Sequence, residues 1–240
     1  MKKLRQRLQQ NSQKRIIISV LSIIVLMTFY YLQGQILLRA INLKLKYDEI
    51  NYSEQISLEV MYCLIFAVLV VCAFIVYFLV VQKKPVWSFN WSKLKITIFF
   101  YLISLGLQFL LGIINQKLNG EIQTANNQQI IDIADLRIDF AIVLLFTATF
   151  LSPIFEEIIY RGLIISGIFK EHQLIGVFIQ AILFGAAHQF TNIWQYLIYF
   201  CTGTFLGLIY WQTQDIKYSI LGHFTQNLLG SIEIIHLLLV

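Results

Sequence analysis

Long apolar blocks separated by short polar or charged borders dominate the chain. They run over 16–38, 58–81, 94–114, 140–169, 174 to about 190, 193–211 and about 218 to 239. Each is close to the roughly 20 residues that a helix needs to cross a hydrocarbon core about 30 Å thick. The pattern predicts an all-α fold, a polytopic transmembrane helical bundle of about seven spans. Residues 1–15 read as a basic cytoplasmic tail and 16–240 as a single membrane-embedded domain, with its chemistry-bearing core over about 140–240.

Composition agrees with a membrane solvent. The 240 residues are 58% hydrophobic and 13% charged, about half the charge share of an ordinary soluble domain. The first block follows Lys2, Lys3, Arg5, Arg7, Lys14 and Arg15, as in a signal peptide. Its apolar core is longer than such a segment needs, and Tyr30, Tyr31 and Gln33 stand where small residues would mark cleavage, so an uncleaved anchor is expected.

Basic residues concentrate on the cytoplasmic side of membrane proteins. The tail and the group Lys83, Lys84, Lys93 and Lys95 define that side, whereas 115–139 carries Glu121, Asp132, Asp135 and Asp139 against Lys117 and Arg137. The expected placement is a multi-pass protein of the cell membrane, amino terminus in the cytoplasm and carboxyl terminus outside. Topology and anionic lipid absorb most of the net charge of +5, and no basic stripe with interleaved aromatics points to nucleic acid. The bilayer is the expected partner, and the sequence says nothing of oligomeric state.

Smaller signals add local expectations. Cys63, Cys72 and Cys201 fall within spans without metal-like spacing and read as buried small apolar residues. Trp87, Trp91, Trp194 and Trp211 lie near span ends, where indole rings anchor at the interface. Gly203 and Gly207 have the spacing that lets membrane helices approach closely. The long connection 115–139 has room for a short amphipathic segment, and Pro153 should loosen or kink the fourth span.

The polar residues inside spans four to seven are few and share a spacing. Glu157 and Arg161, Phe184 and His188, and His223 and Asn227 are each four residues apart, so each pair shares a helix face. A charge at mid-bilayer costs about 3 kcal/mol even on mild insertion scales, so these faces should converge in the bundle interior. Measured from the short turn between spans four and five, Glu156 and His188 rise about 21 and 22 Å, a matching depth. His223, about 8 Å beyond the expected start of its helix, sits lower unless that helix starts deeper or tilts.

Glu157 precedes Arg161 in the favourable order for an ion pair. Glu156 points about 100° away and has no cation on its own helix. An unpartnered interior carboxylate suits a group that takes a proton from water and returns it to a leaving amine. His188 would share that water or donate a proton, and His223 and Asn227 would donate hydrogen bonds to an oxyanion. Tyr160 is one turn from Glu156 and within reach of it, and Phe184 reads as packing.

The segments EEIIYR (Glu156, Glu157, Arg161), FGAAH (Phe184, His188) and HFTQN (His223, Asn227) resemble the ordered motifs EExxxR, FxxxH and HxxxN of the CAAX protease and bacteriocin-processing family, also called CPBP or Abi, which includes the type II CAAX prenyl endopeptidases. The resemblance implies an intramembrane endopeptidase acting on membrane-associated peptides or proteins. Glu156 would activate water, His188, His223 and Asn227 would complete the catalytic site, and Glu157, Arg161, Phe184 and Tyr160 would support it. It also implies a role in bacteriocin self-immunity or peptide maturation.

No cofactor is expected, since HExxH is absent and the resemblance is to the glutamate-type enzymes. The alternative is a catalytic zinc held by His188, His223 and Glu156 or Glu157. Two other functions use the same residue types: a non-catalytic immunity protein that binds its target, and a proton-coupled transporter.

Overall fold

The computed structural model describes residues 2–46, 52–81, 88–136 and 138–239. Lys83, Lys84, Trp87 and Arg137, which bear on the expected topology and anchoring, lie outside the described residues. Among the described residues the chain is helical apart from short connections, with no strand: α1 (Lys2–Lys46), α2 (Tyr52–Val81), α3 (Trp91–Asn119), α4 (Ala125–Leu136), α5 (Ile138–Phe146), α6 (Ser152–Glu157), α7 (Gln173–Ala187), α8 (Ile193–Thr213) and α9 (Ile216–Leu239). Two π-helical stretches, Thr147–Leu151 and Ile158–Ile168, join α5 and α6 into one broken rod.

Among the described residues five helical segments are long and apolar enough to cross a membrane: Asn11–Ile36, Glu59–Val81, Trp91–Asn119, Ala141–Ile168 and Ile193–Thr213. The remaining two of the seven expected spans fold as α7, only 15 residues long, and α9, 24 residues long. The protein is therefore a multi-pass helical membrane protein. Its first helix, at 1.5 Å per residue, measures about 68 Å, far beyond a hydrocarbon core of about 30 Å.

Polar side chains punctuate the rods. Asn90 accepts a bond from Lys93 N at 3.2 Å and so caps α3, Asn192 accepts from Trp194 N and Gln195 N to start α8, and Gly120 ends α3 at φ 74°, a conformation that glycine adopts without strain. Trp91 and Trp194 stand at helix starts and Trp211 near a helix end, where anchoring was expected. The segment expected to be amphipathic forms α4.

The second π-helical stretch is the centre of the bundle. From Ile158 to Gly167 every residue is buried. Phe155, Ile158, Ile159, Leu163 and Ile165 pack against Leu26 of α1 and Phe66, Leu69, Val70, Ala73 and Tyr77 of α2. The other side of the rod meets α7, α8 and α9. Gly203 and Gly207 allow the close approach of α8 to α7, for a Cβ at Gly203 would lie 2.9 Å from Phe184 Cβ and 3.1 Å from Ala181 Cα.

One expectation is corrected. The three cysteines are unpaired, but none is buried: Cys72 is exposed and Cys63 and Cys201 are half-buried. A small apolar side chain in a membrane helix gains little by facing inward, because lipid is as apolar as the core.

Candidate active site

Span four is not a uniform α-helix. Ser152 N–H bonds to Thr147 O, five residues back, closing the first π-helical stretch. Pro153 follows at the start of α6 and has no N–H to give. The expected loosening at Pro153 is thus realised as a widened turn, the form in which helices often accommodate functional sites. Glu156 and Glu157 end the short α6, and the second π-helical stretch begins immediately after them.

Glu157 and Arg161 are both fully buried, and Arg161 Nη1 lies 2.9 Å from Glu157 Oε1, forming the expected ion pair. That contact is close but not aligned as a hydrogen bond, and Arg161 directs its hydrogen bond from Nη2 to Gly203 O at 3.1 Å. The guanidinium also lies over the Phe184 ring at 5.3 Å and the Tyr160 ring at 5.7 Å. Breaking a buried pair by removing one partner costs about 3–5 kcal/mol, so the network ties the rod firmly to α8.

His223, buried in α9, completes the group: its Nδ1 lies 2.8 Å from Glu157 Oε1. A carboxylate only accepts, so Nδ1 carries the proton, and Nε2 is directed toward Glu156 Oε2 at 3.8 Å. α9 begins at Ile216, two residues earlier than the hydropathy pattern suggests, which adds about 3 Å to the depth expected for His223; the rest of the difference lies in how the helices are set in the bundle. The side chain then reaches the two glutamates directly.

Glu156 differs from its neighbour. Its side chain is 18% exposed where that of Glu157 is wholly buried, and its Oε2 has no hydrogen-bond partner. Two adjacent carboxylates therefore have opposite situations. One is held at Oε1 by an arginine and a histidine; the other keeps part of its side chain exposed and has only the more distant His223 Nε2, at 3.8 Å, beside its Oε2.

His188 stands at the carboxyl end of α7, where the backbone turns extended. Its Nδ1 lies 2.7 Å from Phe184 O. The carbonyl can only accept, which puts the proton on Nδ1 and leaves Nε2 of the neutral ring as an acceptor. The ring stacks on Tyr199 at 4.2 Å and 11°, and Tyr199 OH is in turn 2.8 Å from Thr124 Oγ1. Phe184 lies between the two histidines, 4.7 Å from His188 and 5.6 Å from His223 by ring centroids, and Tyr160 packs edge-on against it at 5.1 Å.

Asn227 directs Nδ2 to Ala148 O at 2.8 Å, and one turn further Thr149 Oγ1 lies 2.8 Å from Ser231 Oγ. The fold therefore gathers Glu156, Glu157, Arg161, Phe184, Tyr160, His188 and His223 around one spot and holds Asn227 against the widened turn beside it. His172 lies in the short turn Lys170–His172 and His236 on the exposed face near the end of α9. Tyr199, Thr124, and Gln180, whose Nε2 joins Arg161 on Gly203 O at 2.7 Å, were not legible beforehand: none belongs to a repeated spacing. Among the described residues there is no group of three His, Cys, Asp or Glu side chains close enough to hold a metal ion.

The rod, α7, α8 and the first part of α9 are also the stretch that known proteins share. Residues 138–229 match the family described as type II CAAX prenyl endopeptidase, Rce1-like. The resemblance drawn from three short motifs is borne out over the segment that contains all of them. No curated protein and no solved structure matches the chain. The Rce1-like match begins at the first residue of α5 and ends within α9, so it covers every contact of the two glutamates described above and omits α1, α2, α3 and α4.

Proposed function

We propose that the chain is an intramembrane endopeptidase that hydrolyses peptide bonds of membrane-associated peptides or proteins with water activated by Glu156. The Rce1-like match supports a protease. The observation that carries the finer reading is the contrast between the two carboxylates: Glu157 is fully buried with its Oε1 held by Arg161 and His223, while Glu156 keeps 18% of its side chain exposed and faces His223 Nε2 at 3.8 Å.

Glu156 removes a proton from water, and the hydroxide attacks the scissile carbonyl carbon. The oxyanion accepts hydrogen bonds from the second amide hydrogen of Asn227 and from Nε2 of His223, which takes a proton from solvent before the step and keeps it throughout, so that the proton from water passes through Glu156 alone. Collapse of the tetrahedral intermediate breaks the C–N bond, and the leaving amine takes the proton from Glu156. His188, with Nε2 free to accept, orients the water. Glu157 and Arg161 hold the histidine and the helix, Phe184 and Tyr160 fill the space between, and no metal takes part in any step.

We place the site in a cell-membrane protein with its amino terminus in the cytoplasm and its carboxyl terminus outside, on the distribution of lysine and arginine. Bacteriocin self-immunity or peptide maturation is the biological setting we favour. The test compares cells expressing wild type and Glu156→Gln at matched membrane levels, by mass spectrometry of membrane and secreted peptides. Defined fragments made by wild type alone, and undiminished by a chelator, support the reading. Identical peptide profiles with equal protection against a bacteriocin overturn it in favour of a binding protein.

A further inference from the structure

The widened turn before Pro153 leaves one backbone group without its helical partner. In an α-helix Ala148 O would accept from the N–H of residue 152, but Ser152 N–H is given to Thr147 O. In the π register Ala148 O would accept from residue 153, which is proline and has no N–H. Neither register supplies a donor, and a carbonyl left without one in a membrane span is costly. The donor comes from another helix: Asn227 Nδ2, at 2.8 Å.

We infer that Asn227 is a positioning residue, a side-chain substitute for the amide hydrogen that Pro153 lacks, and that this clamp sets the placement of Glu156 three residues beyond the proline. The catalytic consequence rests on the reading of Glu156 given above; the clamp itself does not. The geometry explains why an asparagine at this point of α9 accompanies a proline at this point of span four. Without the amide, the turn must find another donor within a dry bundle, and α6, only six residues long, turns with it. The second hydrogen of Asn227 Nδ2 remains available to a substrate oxygen.

The inference predicts a specific rescue. Pro153→Ala restores an N–H at the position that the π register would use for Ala148 O. The full chain, purified in detergent, is compared as wild type, Pro153→Ala, Asn227→Ala and the double variant. Asn227→Ala should lower the thermal unfolding midpoint by roughly 3–8 °C in the proline background and by less than a third of that in the Pro153→Ala background. Equal losses in the two backgrounds, or no loss in either, overturn the clamp. If Asn227→Ala does not fold, folding of the double variant supports it and failure of both overturns it. On a peptide cleaved by wild type, Asn227→Ala should reduce kcat with KM unchanged, and part of that loss should return in the double variant. A rescued midpoint without any recovery of kcat overturns the positioning role. Absence of any wild-type cleavage defeats the protease reading while leaving the midpoint comparison decisive for the clamp.

Discussion

Two membrane-length rods of nearly equal size have opposite surroundings. Trp91–Asn119 has 29 residues and the most apolar part of it is only 11% buried, whereas Ala141–Ile168 has 28 residues and is 50% buried over the corresponding stretch. In α3 the exposed positions are apolar, Phe99, Leu102, Phe109 and Leu110 among them, and the buried ones are Thr97, Ser104 and Asn115. Its polar stripe faces inward, with Gln108 bridging Ser104 and Gln226 of α9. The central rod buries apolar residues and charges alike. In a lipid solvent, then, apolarity marks a span but does not tell which side faces the protein; the polar positions do.

The comparison is tested most severely at the centre. Arg161→Leu leaves Glu157 buried beside His223 alone, and the loss should be about 3–5 kcal/mol, read as a collapse of the unfolding midpoint or of folded yield in detergent. A midpoint unchanged by this substitution would mean that the rod does not depend on its charges. Tyr199→Phe keeps the stack on His188 and removes the polar contacts of its hydroxyl, the bond to Thr124 foremost. It should cost about 0.5–1.5 kcal/mol and lower turnover modestly, measured by the midpoint and by peptide release. The smallest effect belongs to α3: Phe109→Ala, at a side chain 71% exposed, should shift stability by no more than about 0.5 kcal/mol. A loss there as large as at Arg161 would break the distinction between the two rods and point to a protein partner on that face.

Much of this arrangement could be read from residue order. The charges of Glu157 and Arg161, expensive in an apolar run and spaced for one helix face, announced their own pairing. The apolar blocks announced most of the spans, and Pro153 announced a break. The partner of His223 was not legible, because hydropathy fixes neither where α9 starts nor how it is inclined, and both set the depth of the side chain. Tyr199 was hidden for a different reason. An aromatic residue in an apolar span carries no spacing signal, and its closeness to His188 arises from the turn between α7 and α8. The fate of Ala148 O was beyond sequence reasoning altogether, since the choice between α and π register is made by packing. The cysteines stand outside the core because lipid offers a small apolar side chain as good a solvent as the bundle interior.

Gly203 contributes two things at one residue: a missing side chain that lets α8 lie against α7, and a carbonyl oxygen shared by Arg161 and Gln180. A methyl group at Gly203 would push the helix away and carry the oxygen with it, so a change in fit becomes a change in charge balance at the same stroke. Mutational drift in this protein therefore cannot explore helix spacing and ion pairing separately. Variants that alter Gly203 should keep the fold only alongside compensating changes at Arg161, Gln180 or Phe184.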